Sequence, residues 1–180
     1  MIIEKVKTLG FGKLKPSEFT FSPGLNLIYG RNESGKSTLQ TLLWACLYGF
    51  YKEDAKTKLT LPEFDQYKPW DEEHYHGSLI YSLTQNESYE IYRDFKNQIT
   101  TVFDAVTGED LTRTFPQMPS GNPLFMLRQT SLTRELFLNS TLLRQKQITS
   151  ISNGKAITSK LINFLETGTD DKSLNLAISK

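Results

Sequence analysis

Gly30, Gly35, Lys36 and Ser37 stand at the spacing G-x-x-x-x-G-K-[ST], inside the stretch YGRNESGKSTLQ at residues 29–40. Each residue type answers a requirement of holding a polyphosphate. Glycines let backbone N–H groups wrap closely round an anion, the lysine carries a cation to its outer phosphates, and the serine hydroxyl ligates Mg²⁺. A helix opening at the same point adds the positive end of its dipole. At ordinary residue usages the pattern arises in well under about 1 in 100 random chains of this length, so the spacing carries weight before any context is considered.

The flanking elements fit the chemistry. GLNLIYG, residues 24–30, is a short apolar run that reads as a buried strand, and STLQTLLWACLYGFY, residues 37–51, reads as an apolar helix closed by Gly49. Upstream, residues 2–11 and 17–24 have strand-like alternation, with a turn at 12–16 between them. These three strands are expected to form a sheet that ends in the phosphate loop, with the helix at 36–50 packed on it.

A length of 180 residues suits one domain, with or without an appended lobe, and is ample for a core. With 21 basic against 20 acidic side chains, overall charge gives no evidence for nucleic acid, although it leaves room for a local basic patch. Cys46 is the only cysteine, so no disulfide forms within the chain and a reducing compartment is the default. Its place in the apolar helix reads as a buried, inert thiol. The N-terminus MIIEKVKTLGF lacks a signal-peptide layout, and the longest apolar stretch, residues 39–51, is too short to span a bilayer. The expectation is a soluble, cytoplasmic protein with no membrane partner.

Beyond the helix, residues 52–70 are polar and punctuated by Pro62 and Pro69, reading as a long surface loop. GSLIYSLTQ, SYEIYRDF and QITTVFDAV follow, separated by turn residues and ending in TGED at 107–110, which reads as a β-meander. From Pro123 the apolar spacing turns helical, with two helices broken near Thr130 and Ser131, and residues 155–168 read as a further amphipathic helix.

GLNLIYGRNESGKSTL resembles the N-terminal lobe of SMC-like coiled-coil ATPases, in particular the SbcC-type double-strand-break repair ATPases and the YhaN-like proteins. Asn32 and Glu33 within the loop, and its position about 30 residues from the start, carry that resemblance. KPWDEEHYHGSLIYSL, YEIYRDF and VFDAVTGEDLT are similar to the family's β-subdomain, and RELFLNSTLLRQKQI, residues 134–148, to its Q-loop region.

The resemblance implies an α/β P-loop NTPase fold: an ABC/SMC-type head N-terminal lobe with an antiparallel β-subdomain and flanking helices. It covers residues 1–173, with the meander at about 77–106, the helical Q-loop region at about 123–149, and residues 174–180 starting a coiled-coil helix. It implies ATP and Mg²⁺ as cofactors, held by Gly30, Arg31, Asn32, Glu33, Ser34, Gly35, Lys36, Ser37 and Thr38. Lys36 and Gln145 are the implied catalytic residues, and Ser37 and Gln145 the metal ligands, with Gln147 close to the latter. Lys13, with Lys15 as the alternative, is implied to reach the α-phosphate or base.

An apolar strand ending in Asp-Glu, which phosphoryl transfer needs for Mg²⁺ and water, does not occur; Asp104 in TVFDAV has no Glu after it. Nor does an LSGG-like signature. In the family both come from a C-terminal lobe reached through a long coiled coil, so the implied partners are that lobe of the same protein and a second ATPase head in a homodimer. DNA and a nuclease subunit are further implied partners. The implied function is ATP-dependent head dimerisation in DNA double-strand-break repair or chromosome maintenance, with this chain incomplete for hydrolysis alone. The competing readings are an ATP-dependent regulator or scaffold not acting on DNA, and a stand-alone P-loop phosphotransferase.

Several other residues draw attention. His74 and His76 form an H-x-H that would need Asp71 or Glu72 to complete a zinc site, and otherwise read as loop histidines. Trp70, Tyr75, Tyr81, Tyr89 and Tyr92 could stack on bases or fill the meander's core. Arg93 could contact DNA or pair with an acid.

Overall fold

The computed structural model of the chain describes residues 1–50, 63–70 and 74–142. It forms two compact units, residues 1–130 and 131–180. The first is built on one antiparallel sheet of five strands in the order β2-β1-β3-β4-β5. These are β1 (Ile2–Gly10), β2 (Ser17–Thr20), β3 (His76–Thr84), β4 (Glu87–Asp94) and β5 (Ile99–Asp104).

The sheet merges what the sequence reads as two. β1 pairs β2 on one edge, Val6 opposite Phe19, and β3 on the other, Val6 opposite Leu79. Period-2 alternation sets one face of every strand towards the core. Val6, Thr8, Leu79, Tyr81, Ile91, Arg93, Thr100 and Val102 are all buried on it. The opposite face carries Lys5, Lys7 and Glu18, where both lysines bridge the one glutamate at 3.0 and 3.2 Å.

Helix α1 (Lys36–Tyr48) lies against this core, burying Leu39, Leu42, Trp44, Ala45, Cys46 and Leu47. Gly77 on β3 makes the close approach feasible: a Cβ there would sit 2.7 Å from Cys46 Sγ and 2.9 Å from Leu42 Cδ1. Next to it, Phe11, Phe50, Tyr67, Tyr75 and Phe95 form an aromatic cluster with ring centroids 5.0 to 6.5 Å apart, spacings at which aromatic pairs are favourable. The polar stretch after α1 contains the short helix α2 (Glu63–Gln66), and Tyr67, the residue after it, joins that cluster. Tyr75 donates its hydroxyl to Phe64 O at 3.0 Å, and Tyr81 donates to Gln129, so these rings serve the interior. Tyr92 and Trp70 do face outward.

One expected strand does not form. Residues 24–30 have no strand pairing, and Leu25 and Tyr29 are 97% and 93% exposed. A run apolar at Leu25, Leu27, Ile28 and Tyr29 suits a strand covered on both faces and paired at its edges. Among the described residues no neighbouring strand supplies those bonds. Strand β2 also ends early, at Thr20, because Asn26 ties the chain into a turn: its side chain accepts from Ser22 N and donates to Ser22 O and Gly24 O.

In the helical region α3 (Phe125–Thr130) precedes α4 (Arg134–Ser140), and the break falls at Ser131 with φ 57°. Thr133 caps α4 by accepting from Leu136 N. The readings at residues 143–149, 155–168 and 174–180 lie outside the described residues.

Candidate nucleotide site

The site grows from the opening of α1. Gly35, the residue before the helix, is left-handed at φ 98°, and no side chain caps the first turn. The first helical hydrogen bond is Leu39 N to Gly35 O, so the N–H groups of Lys36, Ser37 and Thr38 precede the ladder. Such a group of donors, with the dipole behind it, suits an anion.

The loop in front is folded on itself. Ser34 N donates to Arg31 O, and Glu33 adopts φ 65°, the left-handed conformation that turns the chain at its tip. Gly30 lies so near Ser34 that a Cβ would meet Ser34 Oγ at 2.6 Å. Lys36 Nζ donates to Gly30 O at 2.8 Å and Arg31 O at 2.7 Å. An ammonium has three donors, so these two bonds hold it across the loop mouth and leave one for an anion. Arg31, Asn32, Glu33, Ser34 and Ser37 are exposed, whereas Gly35 and Thr38 are buried.

Lys13 comes to the same place. The turn after β1 is closed by Phe11 N to Leu14 O and Leu14 N to Phe11 O, with Gly12 at φ 55° donating to Tyr67 O. This turn sets Lys13 Cγ 3.9 Å and Leu14 Cδ2 3.0 Å from the Cβ position of Gly35. Lys15 is not among the nearest neighbours of that position; its carbonyl accepts from Ser17 Oγ at 2.8 Å within the next turn. Gln145 and Gln147 lie outside the described residues, so the structure brings together the loop, Lys36, Ser37 and Lys13 without them.

The other candidates resolve into structure. Asp104 accepts from Val106 N and Thr107 N, and those bonds hold its carboxyl below the usual range. It is the anchor of the turn after β5. His76 stacks on Tyr92 and accepts or donates at 3.0 Å to its hydroxyl, with Asp94 3.9 Å away. Among the described residues no group of three His, Cys, Asp or Glu side chains is placed to hold a metal, and Asp71 and Glu72 lie outside them. Burial pushes the Cys46 thiol up to about 12, as an inert cysteine requires.

Arg93 is the residue whose role the sequence left open. It is 8% exposed and donates to the last-turn carbonyls of α1, Nε to Cys46 O at 2.7 Å and Nη2 to Leu47 O at 3.1 Å. It is therefore buried under the helix and not presented to DNA. The signal for this was present: Tyr89, Ile91 and Arg93 alternate on the inward face of one strand.

A family model described as AAA domain matches residues 5–179. The DNA double-strand break repair Rad50 ATPase of Pyrococcus abyssi is 29% identical over 164 residues, which are 90% of this chain and 18% of that protein. The protein of the same name from Thermoplasma acidophilum is 24% identical over 154 residues, 86% of this chain and 16% of that one. The chain thus spans less than a fifth of the length of these relatives. A solved chain from work on the structural biochemistry of ATP-driven dimerization and DNA stimulated activation of SMC ATPases superposes with a TM-score of 0.55. That match has 16% identity and covers 92% of this chain and 99% of the other. Among the described residues, no helix is long and apolar enough to cross a membrane. Matched by one family over nearly its whole length, the chain belongs to the AAA domain family and has the fold of an SMC-type ATPase lobe.

Proposed function

We propose that this chain is the nucleotide-binding lobe of an SMC-like ATPase, holding Mg-ATP at the opening of α1. The observation that carries the reading is the uncapped first turn behind Gly35 with Lys36 Nζ held across the loop mouth. Gly30, Arg31, Asn32, Glu33, Ser34 and Gly35 would wrap the phosphates with backbone N–H groups. Lys36 and the N–H groups of Ser37 and Thr38 would offset their charge, and Lys13 would reach the nucleotide from the neighbouring turn. Bound Mg²⁺ would supply charge neutralisation between the outer phosphates, with the Ser37 hydroxyl and Gln145 as its protein ligands.

The exposed run at residues 25–29 supports a second part of the proposal. Leu25, Leu27 and Tyr29 are nearly fully exposed immediately before the loop, and a strand-like run without a neighbouring strand is a template for pairing. A C-terminal lobe of the same protein would pair with this segment and bring the acidic Mg²⁺ ligand that the sequence lacks. Two such heads would close over nucleotide and separate on hydrolysis, nucleotide stabilising the closed pair by mass action. Work on DNA double-strand breaks follows by analogy with the Rad50 relatives, while chromosome maintenance and a nuclease subunit are carried over only from the resemblance of the sequence to SMC-like ATPases.

The test is titration of the chain with Mg-ATP, followed by backbone amide NMR. Shifts concentrated at residues 30–38 are expected, with weak affinity. No shift there at millimolar nucleotide would sink the reading. For the assembled protein, DNA affinity that falls steeply with salt would favour the repair role over a regulator acting without DNA.

A further inference from the structure

One buried cation links the end of α1 to three other elements of the first unit. Besides its bonds to Cys46 O and Leu47 O, Arg93 donates from Nη1 to Thr100 Oγ1 on β5 at 2.6 Å. The Thr100 hydroxyl donates onward to Asn122 Oδ1 at 2.7 Å. Asn122 sits in the turn leading to α3, where Met118 N bonds Asn122 O and Gly121 N bonds Met118 O. The guanidinium carbon also stands 5.9 Å above the ring of Phe125, the first residue of α3.

Gly49 makes room for this arrangement. It leaves the helix at φ 73°, and a Cβ there would lie 2.7 Å from Arg93 Nη1. A guanidinium is a rigid planar fork, so its bonds fix direction as well as distance, which an ammonium on a flexible stem does not. A helix of 13 residues is a stiff rod roughly 20 Å long, so a tilt or slide permitted at its last turn is carried to Gly35 at the other end.

We infer that Arg93 is a positioning residue for the nucleotide site. Without touching nucleotide, it fixes α1 against β4, β5 and α3, and so sets where Lys36 and the first-turn N–H groups stand. This rests on the nucleotide-binding reading above.

The test is Mg-ATP titration of wild type, Arg93→Lys, Arg93→Met and Thr100→Val by amide NMR, well below each unfolding midpoint so that affinity is read on folded protein. Arg93→Met is expected to bind roughly 3- to 10-fold more weakly, a size usual for substitutions acting at a distance. Arg93→Lys should fall between, and millimolar guanidinium should restore part of the Arg93→Met loss. A role confined to stability would move the midpoint and leave the affinity of folded protein and its rescue untouched. Folded Arg93→Met with wild-type affinity overturns the inference. If Arg93→Met does not fold, Thr100→Val decides: about twofold weaker binding supports the inference, and wild-type affinity overturns it. Failure of the wild-type chain to bind Mg-ATP would overturn the nucleotide reading and this inference with it, whereas equal binding by wild type and variants removes this inference alone.

Discussion

Helix α1 begins on a left-handed glycine with no side chain capping it, whereas at its other end the carbonyls of Cys46 and Leu47 are filled by a buried guanidinium. Both ends carry backbone groups that the helix itself cannot satisfy. The C-terminal carbonyls meet a fixed cation that complements the dipole, so that end belongs to the fold. The N-terminal N–H groups face an open loop in which the Lys36 ammonium, bonded to Gly30 O and Arg31 O, still has a donor to give. An end left uncapped by its own chain is suited to a ligand, and the contrast separates residues that hold the lobe together from residues that would bind.

Breaking the sealed end should cost the most stability. Arg93→Met leaves two helix carbonyls and Thr100 without their donor, and urea unfolding is expected to show a loss of about 2–4 kcal/mol. Breaking the open end should leave stability within about 0.5 kcal/mol and act on binding instead. For Lys36→Ala the expected drop in Mg-ATP affinity is on the order of 10- to 100-fold, read by the same NMR titration. Equal effects of both substitutions on stability would erase the distinction drawn between the two ends.

Gly35→Ala tests the opening turn itself. At φ 98°, with Leu14 Cδ2 3.0 Å from the new methyl, it should cost about 1 kcal/mol and tilt the first turn, visible as amide shifts at residues 36–38. The smallest effect concerns the thiol inside the last turn. Burial raises Cys46 from an ordinary 9.0 to about 12, so the unfolded chain loses its proton first as pH rises. Stability therefore falls between about pH 9 and 12, and Cys46→Ala should flatten that slope slightly, the raised tyrosines Tyr75 and Tyr81 keeping the rest. Below that window, a thiol reagent should label the folded chain far more slowly than the urea-unfolded chain; equal rates would show that the last turn is not sealed.

The parts that sequence reveals here are those governed by local rules. Spacing alone identifies the loop, because Gly30, Gly35, Lys36 and Ser37 act within one turn of backbone. The bounds of α1 follow from apolar spacing and Gly49, and the three strands of the meander region from alternation and turn residues. The break between α3 and α4 was likewise legible near Thr130 and Ser131.

What tertiary structure decided concerns partners distant in the chain. That β1 pairs β3 across 70 residues, making one sheet of two readings, depends on which strands find each other's edges. That residues 24–30 stay unpaired despite their strand-like composition depends on a neighbour, not on their own propensity. That Lys13 lies beside Gly35, and that Arg93 serves α1, depends on packing that joins residues far apart in sequence. Residue type and spacing set the chemistry a segment can do, because that chemistry acts over a few bonds. Burial and pairing decide which of those capacities are used, because they are properties of the whole folded unit.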